Sequence, residues 1–256
     1  MRTGIRRVVT SGLACALAGA AFAMPPAQAA DDEPIRIDSV VINGGKPVVV
    51  GTQAIVKFPI AVTATHASGV YQADATLFSP SYAVVYTDGY QKLDCAETRP
   101  TTTCTSSYTV DPIKVFTQGN SPAGTWRVFL HVDAWEGAPY ESNDEYHVEL
   151  LRAARLTANA TPEPVSKGKT ITVKGTLTRA DWSTDKYVGF KGQPVKLQFR
   201  KKGTSTYTTL KTVTSGSGGA VTATATAGAD GYYRFAFAGT GTTAAVRASG
   251  DFVDVR

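Results

Sequence analysis

Gly124-Thr125-Trp126-Arg127-Val128-Phe129-Leu130-His131-Val132-Asp133 decides how this chain folds. Trp126, Val128, Leu130 and Val132 fall on one side of an extended backbone, and Arg127, His131 and Asp133 fall on the other. A period of two is the mark of a strand with one face on a core and one in water. The same period recurs along the chain. Val56, Phe58, Ile60 and Val62 alternate with Lys57 and Thr63; Ile171, Val173 and Leu177 with Thr172 and Lys174. Val195, Leu197 and Phe199 alternate with Lys196, Gln198 and Arg200, and Tyr233, Phe235 and Phe237 with Arg234. Val, Thr, Tyr and Phe are frequent, Gly and Pro punctuate, and no long stretch has helical period, so the fold class is all-β.

The deciding stretch has a partner. Gly231-Tyr232-Tyr233-Arg234-Phe235-Ala236 repeats its pattern of a Gly turn followed by an aromatic entering a strand, with one strand still to come. Penultimate strands of immunoglobulin-like sandwiches begin in this way. The expectation is therefore two tandem immunoglobulin-like β-sandwich domains, residues 31–154 and 155–256, with last strands at 146–151 and 252–255. Residues 155–160 open the second domain, and Pro162 and Pro164 break that strand. A linker this short restrains the two domains. Asn120-Ser121-Pro122-Ala123-Gly124 reads as a turn, and Ser215-Gly216-Ser217-Gly218-Gly219-Ala220 as a flexible hairpin tip.

Residues 1–30 read as a secretory signal peptide. Arg2, Arg6 and Arg7 supply its positive region, 8–22 its short apolar run, and Ala27-Gln28-Ala29 its cleavage site. No second apolar stretch follows, so no transmembrane anchor is expected. Removal of the signal leaves Cys95 and Cys104, an even pair that an exported chain oxidises to a disulfide.

Charge divides between the halves. Residues 31–154 hold 8 Lys/Arg against 15 Asp/Glu, and residues 155–256 hold 15 against 6. An acidic module tethered to a basic one favours cations at the first and polyanions at the second. Catalytic signatures are missing: there is no Gly-x-Ser-x-Gly elbow, no His-Glu-x-x-His helix and no phosphate-cradling Gly-rich loop. Only His66, His131 and His147 offer an imidazole. The expectation is a non-enzymatic protein. Nucleic acid is not expected as a partner of an exported chain whose basic residues are scattered.

Two groups of residues invite a ligand. The stretch from Glu136 to Glu145 is rich in oxygen ligands, and Asp133, Glu141, Asp144 and Glu145 are the candidate calcium set, because Ca²⁺ takes six to eight oxygens. An alternative transition-metal patch forms if the last hairpin pairs His131 with His147, which sets Asp133 against Glu145. A register slip removes it, and the plain reading of both is a solvated charged surface. In the basic half, Trp182, Tyr187, Lys186 and Lys191 form a candidate surface for sugars or an anionic wall polymer, unless those aromatics cover one edge of the core. Asp181-Trp182-Ser183-Thr184-Asp185 begins as an EF-hand loop does, but Lys186 stands where that loop needs Gly and Gly192 where it needs Glu.

Several phrases of the second half resemble a module of exported actinobacterial proteins. They are Pro162-Glu163-Pro164-Val165-Ser166-Lys167-Gly168-Lys169, Leu177-Thr178-Arg179-Ala180-Asp181-Trp182 and Gly192-Gln193-Pro194-Val195-Lys196-Leu197-Gln198-Phe199-Arg200. Gly231-Tyr232-Tyr233-Arg234 and Asp251-Phe252-Val253-Asp254-Val255 continue the likeness. The first half resembles the usual companion of that module, beginning at Ile37-Asp38-Ser39-Val40-Val41-Ile42-Asn43-Gly44-Gly45. The resemblance implies an immunoglobulin-like tandem and, through members labelled calcium-binding, calcium. It implies no catalytic residue. Members often read Asp-x-Ser-Gly at a turn where this chain has His66-Ala67-Ser68-Gly69; if that Asp is a calcium ligand, this chain lacks it.

These readings predict a secreted binding or structural protein of the cell envelope, with calcium as its one candidate cofactor and an anionic wall polymer or glycan as its candidate partner. The competing expectation is a ligand-free, disulfide-stapled spacer or assembly subunit. The sequence leaves the oligomeric state open.

Overall fold

Alternation places every predicted apolar face inside. In the computed structural model, which describes residues 33–80, 84–85, 92–117, 119–142 and 144–256, Trp126, Val128, Leu130 and Val132 are all fully buried. The signal sequence read at 1–30 lies outside the described residues, as does Asn143.

The strands of the first half are β1 (Arg36–Ile42), β2 (Val48–Val50), β3 (Val56–Thr65), β4 (Val70–Phe78), β5 (Val84–Val85), β6 (Asp94–Cys95), β7 (Thr101–Val110), β8 (Gly124–Ala134), β9 (Tyr140–Glu141) and β10 (Tyr146–Arg152). One sheet runs β1-β3-β7-β6, and the facing sheet runs β2-β10-β8-β4-β5. The tight turn at Asn43–Gly45 carries the first strand from one sheet to the other, where β2 pairs with β10 in parallel. Two facing sheets in this order are the immunoglobulin-like arrangement. Phe58, Ile60, Leu77, Tyr108, Trp126 and Leu130 fill the space between them. Tyr108 puts its hydroxyl, inside that core, on the Ala75 carbonyl.

The second half repeats the plan with β11 (Ala154–Leu156), β12 (Asn159–Thr161), β13 (Thr170–Asp181), β14 (Lys186–Gly189), β15 (Pro194–Lys201), β16 (Thr208–Thr214), β17 (Ala220–Thr226), β18 (Gly231–Phe237), β19 (Val246–Arg247) and β20 (Asp251–Val253). The long strand β13 pairs with β11, β12, β14 and β17, and the opposite sheet runs β16-β15-β18-β19, with β20 also on β18. Here too the opening segment meets the last one in parallel, at Val165 and Val255. The repeated motif occupies equivalent places: β8 pairs with β10, and β18 with β20.

The Gly/Ser-rich stretch is not the flexible hairpin tip expected of it. It is a tight turn at Ser217–Gly219 that takes the chain from β16 in one sheet to β17 in the other. Gly219 is buried at φ +78°, where a Cβ would run into the Leu177 carbonyl oxygen. Glycine is present there because the backbone passes too close for any side chain.

Candidate functional site

Three places bear on function: the carboxylate-rich edge of β8, the tip between β13 and β14, and the outer face of the β15–β18 sheet. At the first, the predicted pairing is replaced by another. Tyr140 and Glu141 of β9 lie opposite Val132 and His131, while β10 sets Tyr146 against Val128 and His147 against Arg127. From Glu141 to Tyr146 is five residues, and from His131 to Val128 is three, so this edge takes up two extra residues. They form a bulge in which Asp144 adopts φ +63°. Ser142 closes it from inside: its Oγ accepts from the Leu130 N–H at 2.8 Å, and its own N–H donates to the Leu130 carbonyl at 2.9 Å.

The bulge separates the two histidines. His147 faces Arg127, four positions or about 13 Å along the strand from His131. His131 instead sits between two carboxylates, Asp133 on Nε2 at 3.2 Å and Glu141 on Nδ1 at 3.4 Å. The candidate calcium ligands divide in the same way. Asp133 and Glu141 flank His131, Asp144 meets Arg127 at 3.1 Å, and Glu145 accepts from the Tyr140 hydroxyl at 3.3 Å. Asp133 and Arg127 are six residues apart on one strand, about 20 Å, so the four carboxylates do not converge. Among the described residues no three His, Cys, Asp or Glu side chains group to hold a metal.

Cys95 and Cys104 form the expected disulfide, pairing β6 with β7 at the sheet edge.

Of the two readings of the tip between β13 and β14, the one in which its aromatics cover a core edge holds for Trp182. Trp182 is 4% exposed and belongs to the core of the first sandwich, although it comes from the second. Its ring stacks on Phe116 with centroids 3.9 Å apart, and its Nε1–H donates to the Gly51 carbonyl at 2.8 Å. Asn120 holds the tip from the other side: its amide donates to Asp181 at 2.8 Å, and its carbonyl accepts from the Trp182 N–H at 3.0 Å. Tyr187 is half-buried under the Arg155 guanidinium, 3.5 Å from the ring centre. Lys186 and Lys191 stay exposed, but their aromatic neighbours are spent on the junction between the sandwiches. Beside it lie two guanidinium groups. Arg152 is 6% exposed, and burial together with neighbouring Arg179 pushes it down to about 10, against an opposing pull from Asp181. The Nε atoms of both arginines are buried without a hydrogen-bond partner.

On the outer face of the β15–β18 sheet, strand register brings together residues that the sequence separates. Gln198 lies opposite Arg234, Arg200 opposite Tyr232, and Ala236 carries Arg247 on its far side. Tyr207 sits beneath the group, 3.6 Å from the Arg234 guanidinium, and Tyr232 lies 4.0 Å from that of Arg200. Burial, then the charges of Arg247 and Arg200, hold Arg234 below the usual arginine range, against a pull from Tyr207. Arg234 donates to the Gln198 side chain at 2.9 Å and Arg200 to the Thr204 carbonyl at 2.5 Å. Among the described residues none of the three arginines forms an ion pair. Sequence reasoning passed over this face because its residues come from three strands; the alternation of Lys196, Gln198 and Arg200 was the signal available.

No protein-family model matches the chain, and no curated protein matches it. Among solved structures, the D0–D1 domain of Intimin is 12% identical over 85% of this chain and 98% of that one, at a TM-score of 0.27. The Yersinia pseudotuberculosis adhesin InvE is 12% identical over 84% of this chain and 58% of that one, at 0.28. Salmonella alpha-2-macroglobulin reacted with methylamine is 10% identical over 88% of this chain at 0.33, and the chain spans about 15% of its length. Superpositions this loose carry no argument; the immunoglobulin-like assignment rests on the strand order itself. No helix among the described residues is long and apolar enough to cross a membrane.

Proposed function

We propose that this is an exported, non-enzymatic pair of sandwiches whose second module binds an anionic polymer of the cell envelope through Arg200, Arg234 and Arg247. One observation carries the reading: three guanidinium groups share a sheet face, and among the described residues none of them forms an ion pair. Like charges held together are relieved by an anion, and guanidinium suits phosphate and carboxylate groups because its donors form a planar fork. Tyr207 and Tyr232 keep the arginine heads in place, so less side-chain freedom is lost on binding. Export is supported by the signal read in the sequence and by the disulfide.

Chromatography tests it. On phosphocellulose and on carboxymethyl cellulose, the purified protein is expected to elute at clearly higher salt than the triple variant Arg200→Gln, Arg234→Gln, Arg247→Gln. The control is Lys167→Gln, Lys169→Gln, Lys174→Gln, which removes equal charge elsewhere. If both triples elute together, net charge explains retention and the site is wrong. Elution of the wild type without retention supports the second reading, a ligand-free spacer, which the Trp182 junction favours because it fixes one sandwich on the other.

A further inference from the structure

On the first sandwich, away from the arginine face, a cleft of about 500 Å³ opens beside the disulfide. Two of its exposed walls are aromatic rings, Tyr71 at 40% and Trp135 at 62%, with centroids 4.9 Å apart and planes inclined at 40°. Trp126 and Trp182 are buried, so Trp135 leaves its large apolar ring in water while the other two tryptophans do not. The segment 96–99, with Glu97 and Arg99, also lines the cleft. Although two residues apart, these do not pair with each other, and among the described residues neither forms an ion pair.

The walls are held in place before any ligand arrives. The disulfide clamps the segment at Cys95, and Thr98 donates its hydroxyl to the Thr101 carbonyl at 2.7 Å. The Trp135 N–H donates to the Gly69 carbonyl at 3.1 Å, and the Glu136 N–H to the Ser68 hydroxyl at 3.0 Å. Gly69, at φ +84°, lets the Arg99 stem lie against it; a Cβ there would stand 2.8 Å from the Arg99 Cγ. Two rings together with one acid and one cation in a single cleft match a ligand that has an apolar face and a rim of hydroxyls. A pyranose has both: its C–H face lies on aromatic rings, and its hydroxyls donate to a carboxylate and accept from a guanidinium. The volume is that of an ordinary small-ligand pocket. A phosphorylated or carboxylated ligand would meet Glu97 as readily as Arg99.

From this arrangement we infer that the Tyr71–Trp135 cleft is a binding site for a neutral saccharide. It takes a different ligand from the arginine face and stands independently of it. The test is cosedimentation with chitin, with cellulose and with peptidoglycan stripped of its anionic polymers, all in 1 M NaCl, where the arginine face is screened. The wild type is expected to be retained on at least one matrix, with retention falling at least tenfold in Trp135→Ala and unchanged in Arg234→Gln. On that matrix, its soluble oligosaccharide should shield Trp135 from iodide quenching. Trp135 is exposed, so its replacement leaves the fold intact, and an unchanged unfolding midpoint checks this. Absence of retention on all three matrices, or equal retention of wild type and Trp135→Ala, overturns the inference.

Discussion

Asp181 shows how one side chain is tied to the junction. The amide of Asn120 and then the Ser183 N–H hold its carboxyl below the usual carboxylate range, with a smaller push in the same direction from Arg152 and burial working against them. A folded-state value below the unfolded one adds stability above about pH 3.9, and that stability is lost as pH falls through the folded value. Asp181→Asn should therefore flatten the fall of the unfolding midpoint below about pH 4 and leave its behaviour at pH 7–9 unchanged. Arg152 works the other way. A buried cation whose folded value is pushed down to about 10 is a penalty at every pH below that value, and the penalty fades only as pH rises through it. Its Nε has no partner to offset the cost. Arg152→Met should raise the midpoint at pH 7 by about 2–4 °C, the shift that about 1 kcal/mol gives a protein of this size; a fall would show that the charge is satisfied in solution.

At the scale of elements, a strand with a bulge explains both what the sequence disclosed and what it hid. The period of two in β3, β8, β13, β15 and β18 is written locally, because each apolar residue answers to the same core face. Register is not local. It depends on Ser142 hydrogen-bonding across to Leu130, an interaction that an oxygen-rich loop does not announce. The oxygen-rich stretch that suggested calcium forms this strand edge. Thermal unfolding in EDTA and in millimolar Ca²⁺ is expected to superimpose. A calcium-dependent rise that disappears in Asp144→Asn would restore the metal site, and a ligand at about 100 times its dissociation constant would add about 2.7 kcal/mol. The disulfide was legible because, of three cysteines, removal of the signal that holds Cys15 leaves two, which allow one pairing. With a sequence separation of 9, its loop contributes about 2.5–3 kcal/mol through the unfolded chain, so Cys95→Ala with Cys104→Ala should lower the unfolding midpoint accordingly. Composition misled at Ser217–Gly219, where glycine serves close approach rather than freedom.

Across the whole molecule, among the described residues, the sandwiches are joined at several points, the bridge from Arg152 to Thr243 among them, and two others stand out. Ala153 alone separates β10 from β11, and its N–H donates to the Val50 carbonyl at 2.8 Å while its carbonyl accepts from the Ala180 N–H at 2.8 Å. Trp182 is the second joint; its sequence surroundings allowed it to cover a core edge but did not say whose, because Phe116 and Gly51 lie far away along the chain. Trp182→Ala should cost about 3–5 kcal/mol, the usual loss for removing a buried aromatic, and should split one calorimetric transition into two. A single transition at the wild-type midpoint would show that the stack adds nothing to coupling.

That joint bears on how such chains change over generations. Immunoglobulin-like modules are readily shuffled when each closes its own core, since a cut in the linker then yields two working parts. Here a cut at Ala153 would strip Phe116 of its cover and leave Trp182 bare on the other piece. Recombination that preserves function must carry Gly51, Phe116, Asn120 and Trp182 together. The heritable unit is thus the pair of sandwiches, and either one moved alone into a new gene would arrive with an unhealed seam.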